Sequence, residues 1–123
     1  MRNFRDLDVW NISVDFSKKI YSFLNYFPSS EKFGLSSQIS RSVVSIPSNI
    51  AEGCSRNTQK DFSRFLQISL GSSFELETQL IIANKINYIS DADFSEIITE
   101  LHLIQKKIQS LKNYADSLTV KEF

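Results

Sequence analysis

Four basic residues are the side chains in this sequence best suited to binding another molecule. They cluster around the predicted turn between the second and third helices: Arg41, Arg56, Lys60 and Arg64. Lysine and arginine neutralise phosphate groups, and the exposed amides at a helix N-terminus would add to that attraction. The group therefore predicts a phosphate-contacting edge that binds nucleic acid. The alternative is that these cations pair with carboxylates within one subunit or between subunits.

A second set of polar residues runs beside the apolar stripe of the second predicted helix. The stripe comprises Gln38, Ser42, Ser45, Asn49 and Glu52. All of these except Ser42 form a candidate site that could line a pocket. Buried hydroxyl and amide groups must also be hydrogen-bonded, and the serines of the third helix offer partners. We expect the structural role, a polar core between the second and third helices.

Residues for catalysis or metal binding are scarce. His102 is the one histidine and Cys54 the one cysteine of the chain, so a histidine-based triad has a single candidate and a disulfide within the chain is impossible. The acidic residues lack the Glu-x-x-His pairs of a di-iron bundle, and no Walker loop or His-Glu-x-x-His motif occurs. We expect no enzymatic activity, no catalytic residue, no metal and no cofactor.

Charge and hydropathy limit the range of partners. The 123 residues carry 14 basic and 14 acidic side chains, so the net charge gives no electrostatic reason to expect nucleic acid or a membrane. Residues 32–64 are nevertheless mainly basic and residues 75–100 mainly acidic, which slightly favours self-association. No apolar run approaches the ~20 residues that would span a bilayer. We expect a soluble, cytoplasmic protein without membrane contact.

Helical periodicity dominates the chain. Four long helical segments with short connections predict an all-α fold, an antiparallel up-down-up-down four-helix bundle in which residues 1–123 form a single domain. Pro47 should kink the second helix, because it removes an amide donor and leaves the carbonyl of Val43 unpaired. Gly53 should end that helix, and Thr58 and Ser90 should cap the third and fourth.

Two further patterns concern packing. Helix one carries two apolar stripes, a wider apolar arc than one bundle seam requires, and the excess suggests a subunit interface. One stripe is Trp10, Val14, Tyr21, Leu24 and Phe27, and the other is Val9, Phe16, Ile20, Phe23 and Phe27. The small residues 69–73 around Gly71, in helix three, should allow a close approach to helix two.

Several sequence stretches resemble a known family. They are residues 4–10 (FRDLDVW), 27–28, 34–35, 38–39, 45–53 (SIPSNIAEG), Arg56, and 62–80 with its ending LGSSFELETQL. In these stretches the chain resembles the four-helix-bundle proteins first noticed as open reading frames in intervening sequences of bacterial 23S ribosomal RNA genes. The likeness covers residues 1–90 in register, and helix four fits by pattern.

This resemblance implies an antiparallel four-helix bundle that assembles into a ring-shaped homopentamer. It implies little about activity, because members are mostly of unknown function. One branch, the accessory variability proteins of diversity-generating retroelements, is similar in fold and partners a reverse transcriptase and its RNA through a basic surface. We expect a homo-oligomeric assembly or scaffold protein. The alternative is an RNA-binding accessory factor that acts with a reverse transcriptase or ribosomal RNA.

Overall fold

The structure, a computed structural model, describes residues 2–119. Its elements are α1 (Asp8–Leu24), α2 (Leu35–Cys54), α3 (Gln59–Lys85) and α4 (Asp91–Thr119), with short 3-10 helices at Phe4–Asp6 and Ser29–Glu31. These residues contain no strand, and none of their helices combines the length and hydropathy needed to cross a membrane. The predicted all-α, four-helix fold is confirmed.

Polar caps mark where α3 and α4 begin. The Thr58 hydroxyl accepts a hydrogen bond from the Asp61 amide at 3.1 Å, and the Ser90 hydroxyl accepts one from the Asp93 amide at the same distance. Each cap satisfies one of the amides that the first turn of a helix leaves unpaired. Both caps lie where the sequence predicts them.

Each helix packs against two neighbours, so that α1 and α3 lie diagonally across the bundle. Between α2 and α3, the Ser42 hydroxyl donates to the side-chain oxygen of Gln79 at 2.7 Å, and the Ser69 hydroxyl donates to the carbonyl of Ile46 at 2.8 Å. From the first bond to the second, the residue number increases along α2, from 42 to 46, and decreases along α3, from 79 to 69. This is the order expected of antiparallel neighbours.

Apolar side chains from all four helices form one buried cluster. The α1 stripe that contains Val9, Phe16 and Ile20 lies in this core, whereas Val14 and Tyr21 of the other stripe are 38% and 48% exposed. The extra apolar arc of α1 therefore faces outward. The largest fully buried side chains are Phe62, Ile20, Ile39, Ile46, Ile50, Leu66, Leu76, Leu80, Ile97, Leu101, Ile104 and Ile108.

Pro47 lies inside α2, which continues to Cys54. The Ser17 hydroxyl of α1 donates to the Val43 carbonyl, the group that Pro47 deprives of its usual partner, at 3.4 Å. Ser69 of α3 donates to a second α2 carbonyl, that of Ile46. At Val43, therefore, α1 supplies the donor that the helix cannot supply itself. The bend expected at Pro47 stays a prediction.

Gly53 has a different role from the one predicted. It lies within α2 and does not end it; the helix runs one residue further and is capped by Ser55. A Cβ atom at residue 53 would lie 2.9 Å from Cβ of Phe65 and 3.1 Å from Cδ1 of Phe62. Both distances are too short for ordinary contact, so the missing side chain is what lets α3 approach α2 here.

The prediction that Gly71 packs against helix two is wrong. A Cβ atom at residue 71 would meet nothing within 4 Å, and the residue is exposed. Ser69 and Ser73 of the same patch are buried. Gly71 is two residues from each, or about 200° round the helix, and therefore faces the opposite side.

The seam between α1 and α4 is the most sparsely packed of the four. The Lys19 ammonium lies 2.6 Å from carboxylate oxygens of both Glu96 and Glu100, and the Lys107 ammonium lies 2.7 Å from Asp8. An open, largely apolar groove of about 580 Å³ follows this seam. These ion pairs add to the apolar core that α1 and α4 share with the other two helices.

We expect Gly53→Ala to lower the free energy of unfolding by about 1–3 kcal/mol, because the added methyl group overpacks against Phe62 and Phe65. Gly71→Ala is the matched control, and it should change stability by less than about 1 kcal/mol, in the stabilising direction. Urea unfolding at one protein concentration measures both. Equal effects would contradict the close-approach role of Gly53.

Candidate nucleic-acid interface

The end of the bundle at which α2 passes into α3 collects cationic side chains from three parts of the chain. The amide of Arg2 bonds to the carbonyl of Cys54 at 3.3 Å, which fixes the N-terminal segment against the end of α2. The end of α4 arrives at the same place, where Asp116 accepts a hydrogen bond from the Ser63 hydroxyl of α3. We call the following residues the basic end: Arg2, Arg5, Arg56, Lys60, Arg64 and Lys112.

Each of the four guanidinium groups of the basic end lies over an aromatic ring. The guanidinium carbons of Arg56 and Arg64 both lie 4.5 Å from the centre of the Phe65 ring. That of Arg2 lies 4.0 Å from the centre of the Phe62 ring. The ring quadrupole attracts a cation above its face, so these arginines are ordered before any ligand arrives. A similar contact joins Arg5 and Phe4 at 4.8 Å.

Carboxylates offset part of this positive charge. Arg56 lies 3.2 Å from Glu52, and Arg64 lies 3.3 Å from Asp61. All four side chains are more than one-third exposed, so these pairs contribute little to stability and leave the arginines available to a competing anion. Arg56 is the more deeply packed of the two arginines, since its Nε is buried. That atom has no hydrogen-bond partner among residues 2–119.

On α4, Lys112 lies 2.8 Å from Asp116. The pKa of Asp116 is held below its ordinary value, first by this lysine and then by the Ser63 hydroxyl. An open groove of about 750 Å³ runs between α3 and α4 beside these groups, and Lys60 and Arg64 line its other wall. The groove thus presents three cations and two carboxylates, Asp61 and Asp116.

Arg41 does not belong to the basic end, although the sequence places it there. It precedes Cys54, the last residue of α2, by 13 positions, which is about 20 Å at the standard helical rise. Its guanidinium group donates to the Ser37 hydroxyl at 3.0 Å. Basic residues that are close in the sequence are spread along the helix axis when the segment is helical. The prediction that Arg41 lies with Arg56, Lys60 and Arg64 is therefore wrong.

Sequence reasoning missed Arg2, Arg5 and Lys112 because they are far from the α2–α3 turn along the chain. The predicted up-down topology was the available signal, since it brings the start of helix one and the end of helix four to that turn. The predicted help from the α3 N-terminus is reduced, because Thr58 already caps the Asp61 amide.

The predicted polar core is also corrected. Gln38 and Glu52 are exposed, and Ser45 and Asn49 are half-buried. The Ser45 hydroxyl and the Asn49 amide each donate at 2.8 Å to a carbonyl of α2 itself. The buried polar residues are Ser13, Ser42, Ser63, Ser69, Ser73 and Gln79.

The angular position around α2 explains this outcome. Gln38, Ser45 and Glu52 are turned about 40° to 80° from Ser42, which is enough to move a side chain from the α3 contact to the surface. Ser42 is the one member of the stripe that reaches across to α3. The stripe lies at the outer margin of the seam and lines no enclosed pocket among the described residues.

The two residues considered for catalysis occupy ordinary positions. Cys54 is buried, and burial raises the pKa of its thiol despite the nearby charge of Arg2. A thiol held in its neutral form is a poor nucleophile. His102 is exposed and lies 3.1 Å from Glu77. Within residues 2–119, no group of three or more His, Cys, Asp or Glu side chains is arranged to hold a metal ion.

Comparison with known proteins gives one family and a similar structure. A family model described as 23S rRNA-intervening sequence protein matches residues 5–110, which extends beyond the resemblance noted for residues 1–90 and into α4. A crystal structure described as a protein with unknown function from the S23 ribosomal protein family of Bacteroides thetaiotaomicron VPI-5482 has a TM-score of 0.79 and 28% sequence identity. It aligns over 85% of this chain and 97% of that chain. No curated protein matches.

The stacking of arginine on Phe65 can be measured by a double-mutant cycle. We expect Phe65→Leu and Arg64→Met to show a coupling free energy of about 0.5–1 kcal/mol in urea unfolding, because each change removes one partner of the cation–π contact. Phe74→Leu, at an exposed position of the same helix, is the control partner for Arg64→Met and should show no coupling. Equal coupling in both cycles would contradict the stacked arrangement.

Proposed function

The chain belongs to the family of 23S rRNA-intervening sequence proteins, and from that premise we propose that it is a non-enzymatic assembly or scaffold protein that acts as a homo-oligomer. Its structural neighbour is described as a protein of unknown function, so the support comes from the chain's own surface. The buried thiol, and a histidine whose partner is a surface carboxylate, are consistent with a role that requires no chemistry.

The observation that carries this proposal is the distribution of exposed apolar side chains. Val14 and Tyr21 are exposed on α1, while Ile68 and Ile82 are 41% and 45% exposed on α3, which lies diagonally opposite. Single exposed apolar residues are common on monomers, but aligned residues on two helices that do not touch each other suit two contact surfaces per subunit. Two different surfaces on one subunit generate a closed ring if the rotation closes. Five is the number of copies that the family resemblance implies.

Light scattering behind a sizing column tests the proposal. We expect a mass near five times 14.1 kDa at micromolar concentration. A monomer at that concentration would overturn the homo-oligomer. A closed assembly with another number of copies would retain the homo-oligomer and overturn the number five.

An RNA-binding accessory factor, acting with a reverse transcriptase or ribosomal RNA, is the second candidate function. The ordered arginines of the basic end favour it, because stacked guanidinium groups lose little freedom when they bind phosphate. In a ring whose axis runs along the helices, every copy presents its basic end on the same side. A few phosphate contacts per subunit would then add up to a strong dependence on salt.

We expect a combined Arg5→Ala, Lys60→Ala and Arg64→Ala variant to flatten the salt dependence of RNA affinity, because it removes three phosphate contacts per subunit. Arg56 is left in place because of its packing role. The matched control removes three charges elsewhere, at Lys18, Lys32 and Lys85, and should leave the slope unchanged. If the wild type shows no band shift on structured RNA at about 50 mM salt and micromolar protein, this candidate function is wrong.

A further inference from the structure

We propose that the outer surface of α1 and α2 in one copy of the chain packs against the outer side of α3 in the next copy, with Arg41 of the first copy paired to Glu75 of the second. This inference rests on the proposed homo-oligomer and identifies its contact. The partner at this site is a second copy of the same chain.

The first of the two surfaces is mainly apolar and small, and we call it the α1–α2 outer surface. It consists of Trp10, Val14, Tyr21, Ser37, Arg41, Val44 and Ser48. Val14, Tyr21 and Val44 are 38% to 48% exposed. Arg41 is the charge that this surface carries on α2, where it lies about one helical turn from Ser37 and from Val44 and donates to the Ser37 hydroxyl. An opposing helix can therefore approach the small residues closely, and a carboxylate on that helix can pair with Arg41.

The second surface is a row of residues on the outer side of α3, which we call the α3 outer stripe. It consists of Ile68, Glu75, Ile82 and Ile86. The first three are spaced by seven residues, which aligns them along one side of the helix. The isoleucines are 41% to 46% exposed, and Glu75 is the one charge in the stripe. This narrow row presents apolar side chains and a single carboxylate to another copy.

Charge determines how these surfaces are combined. Two α3 outer stripes placed together would bring Glu75 against Glu75, and two α1–α2 outer surfaces placed together would bring Arg41 against Arg41. Like charges at a contact oppose association. Placing an α1–α2 outer surface against an α3 outer stripe instead brings the two opposite charges together. The contact is therefore between unlike surfaces, which is the type that closes into rings.

Arg41 and Glu75 lie at similar positions along the long axis of the bundle. Ser42, next to Arg41, bonds to Gln79 of α3, and Glu75 is one helical turn from Gln79. Copies related by an axis along the helices keep these positions, so the two side chains would meet within about one turn, or ~5 Å. Neither residue forms an ion pair within residues 2–119, although Arg41 donates to Ser37. Both charges are free to pair across the contact.

A charge swap tests the pairing. We expect Arg41→Glu and Glu75→Arg each to raise the concentration at which the oligomer dissociates by about tenfold or more. The double variant should recover the wild-type assembly, because it restores an opposite pair. Arg5→Glu is the matched control, and it reverses an exposed arginine of the basic end without changing the assembly. Light scattering over a dilution series gives the masses, and circular dichroism verifies folding.

A second pair of variants tests the α1–α2 outer surface. Val44→Asp should dissociate the oligomer, whereas Leu103→Asp should not, because Leu103 is similarly exposed but lies on α4. If the wild type is oligomeric and the double charge swap fails to recover assembly, or Val44→Asp has no effect, the contact assigned here is wrong while the homo-oligomer stands. A monomeric wild type would overturn the proposed function itself.

Discussion

The close contact of α2 with its two neighbours is the constraint on which the other features of the bundle depend. Gly53 leaves space for Phe62 and Phe65 of α3. Donors from α1 and α3 reach the carbonyls of Val43 and Ile46, and the Val43 carbonyl is the one that Pro47 deprives of its helical hydrogen bond. A helix with an interrupted backbone is costly to bury unless such partners are present. With α2 fixed in this way, Phe65 lies at the end of the bundle, and Arg56 and Arg64 are positioned by its ring.

Two kinds of surface lie at different places on this molecule. Six cations form the basic end, beside rings and carboxylates, and the α1–α2 outer surface on the side of the bundle is mainly apolar and small. An end rich in arginine can contact a polyanion while the sides contact other subunits, because the two surfaces do not overlap. The assembly role and the RNA-binding role are thus compatible on geometric grounds. The zero net charge of the chain conceals this local difference, which only the folded arrangement reveals.

Periodicity and capping residues were sufficient to predict the four helices, since hydrophobic spacing and the Thr58 and Ser90 hydroxyls act locally. Tertiary contacts were harder to predict. Gly53 looked like a helix end, but its role depends on where Phe65 lies. Gly71 looked like a packing residue because its neighbours Ser69 and Ser73 are buried, yet a shift of two residues turns a side chain to the opposite face.

The same limit applies to the candidate site. Three of the four predicted cations meet at one end because they lie near a turn, whereas Arg41 is carried away by the length of α2. Arg2 and Lys112 join them from the ends of the described chain, which no local pattern could indicate. The polar residues on α2 do form a stripe along the helix. A rotation of only tens of degrees around the helix, however, separates a buried position from one at the edge of the contact, and the sequence does not give that angle.

The sparse seam between α1 and α4 has a consequence for local unfolding. Its ion pairs lie at the surface, so salt screens them, and α1 and α4 approach each other closely at fewer positions than any other neighbouring pair. We therefore expect α1 to separate from the bundle at a lower free energy than the α2–α3 pair, and its amides to exchange with solvent first. A second copy bound over α1 would oppose this local opening. Amide exchange in α1 would then report whether a neighbouring subunit covers that helix.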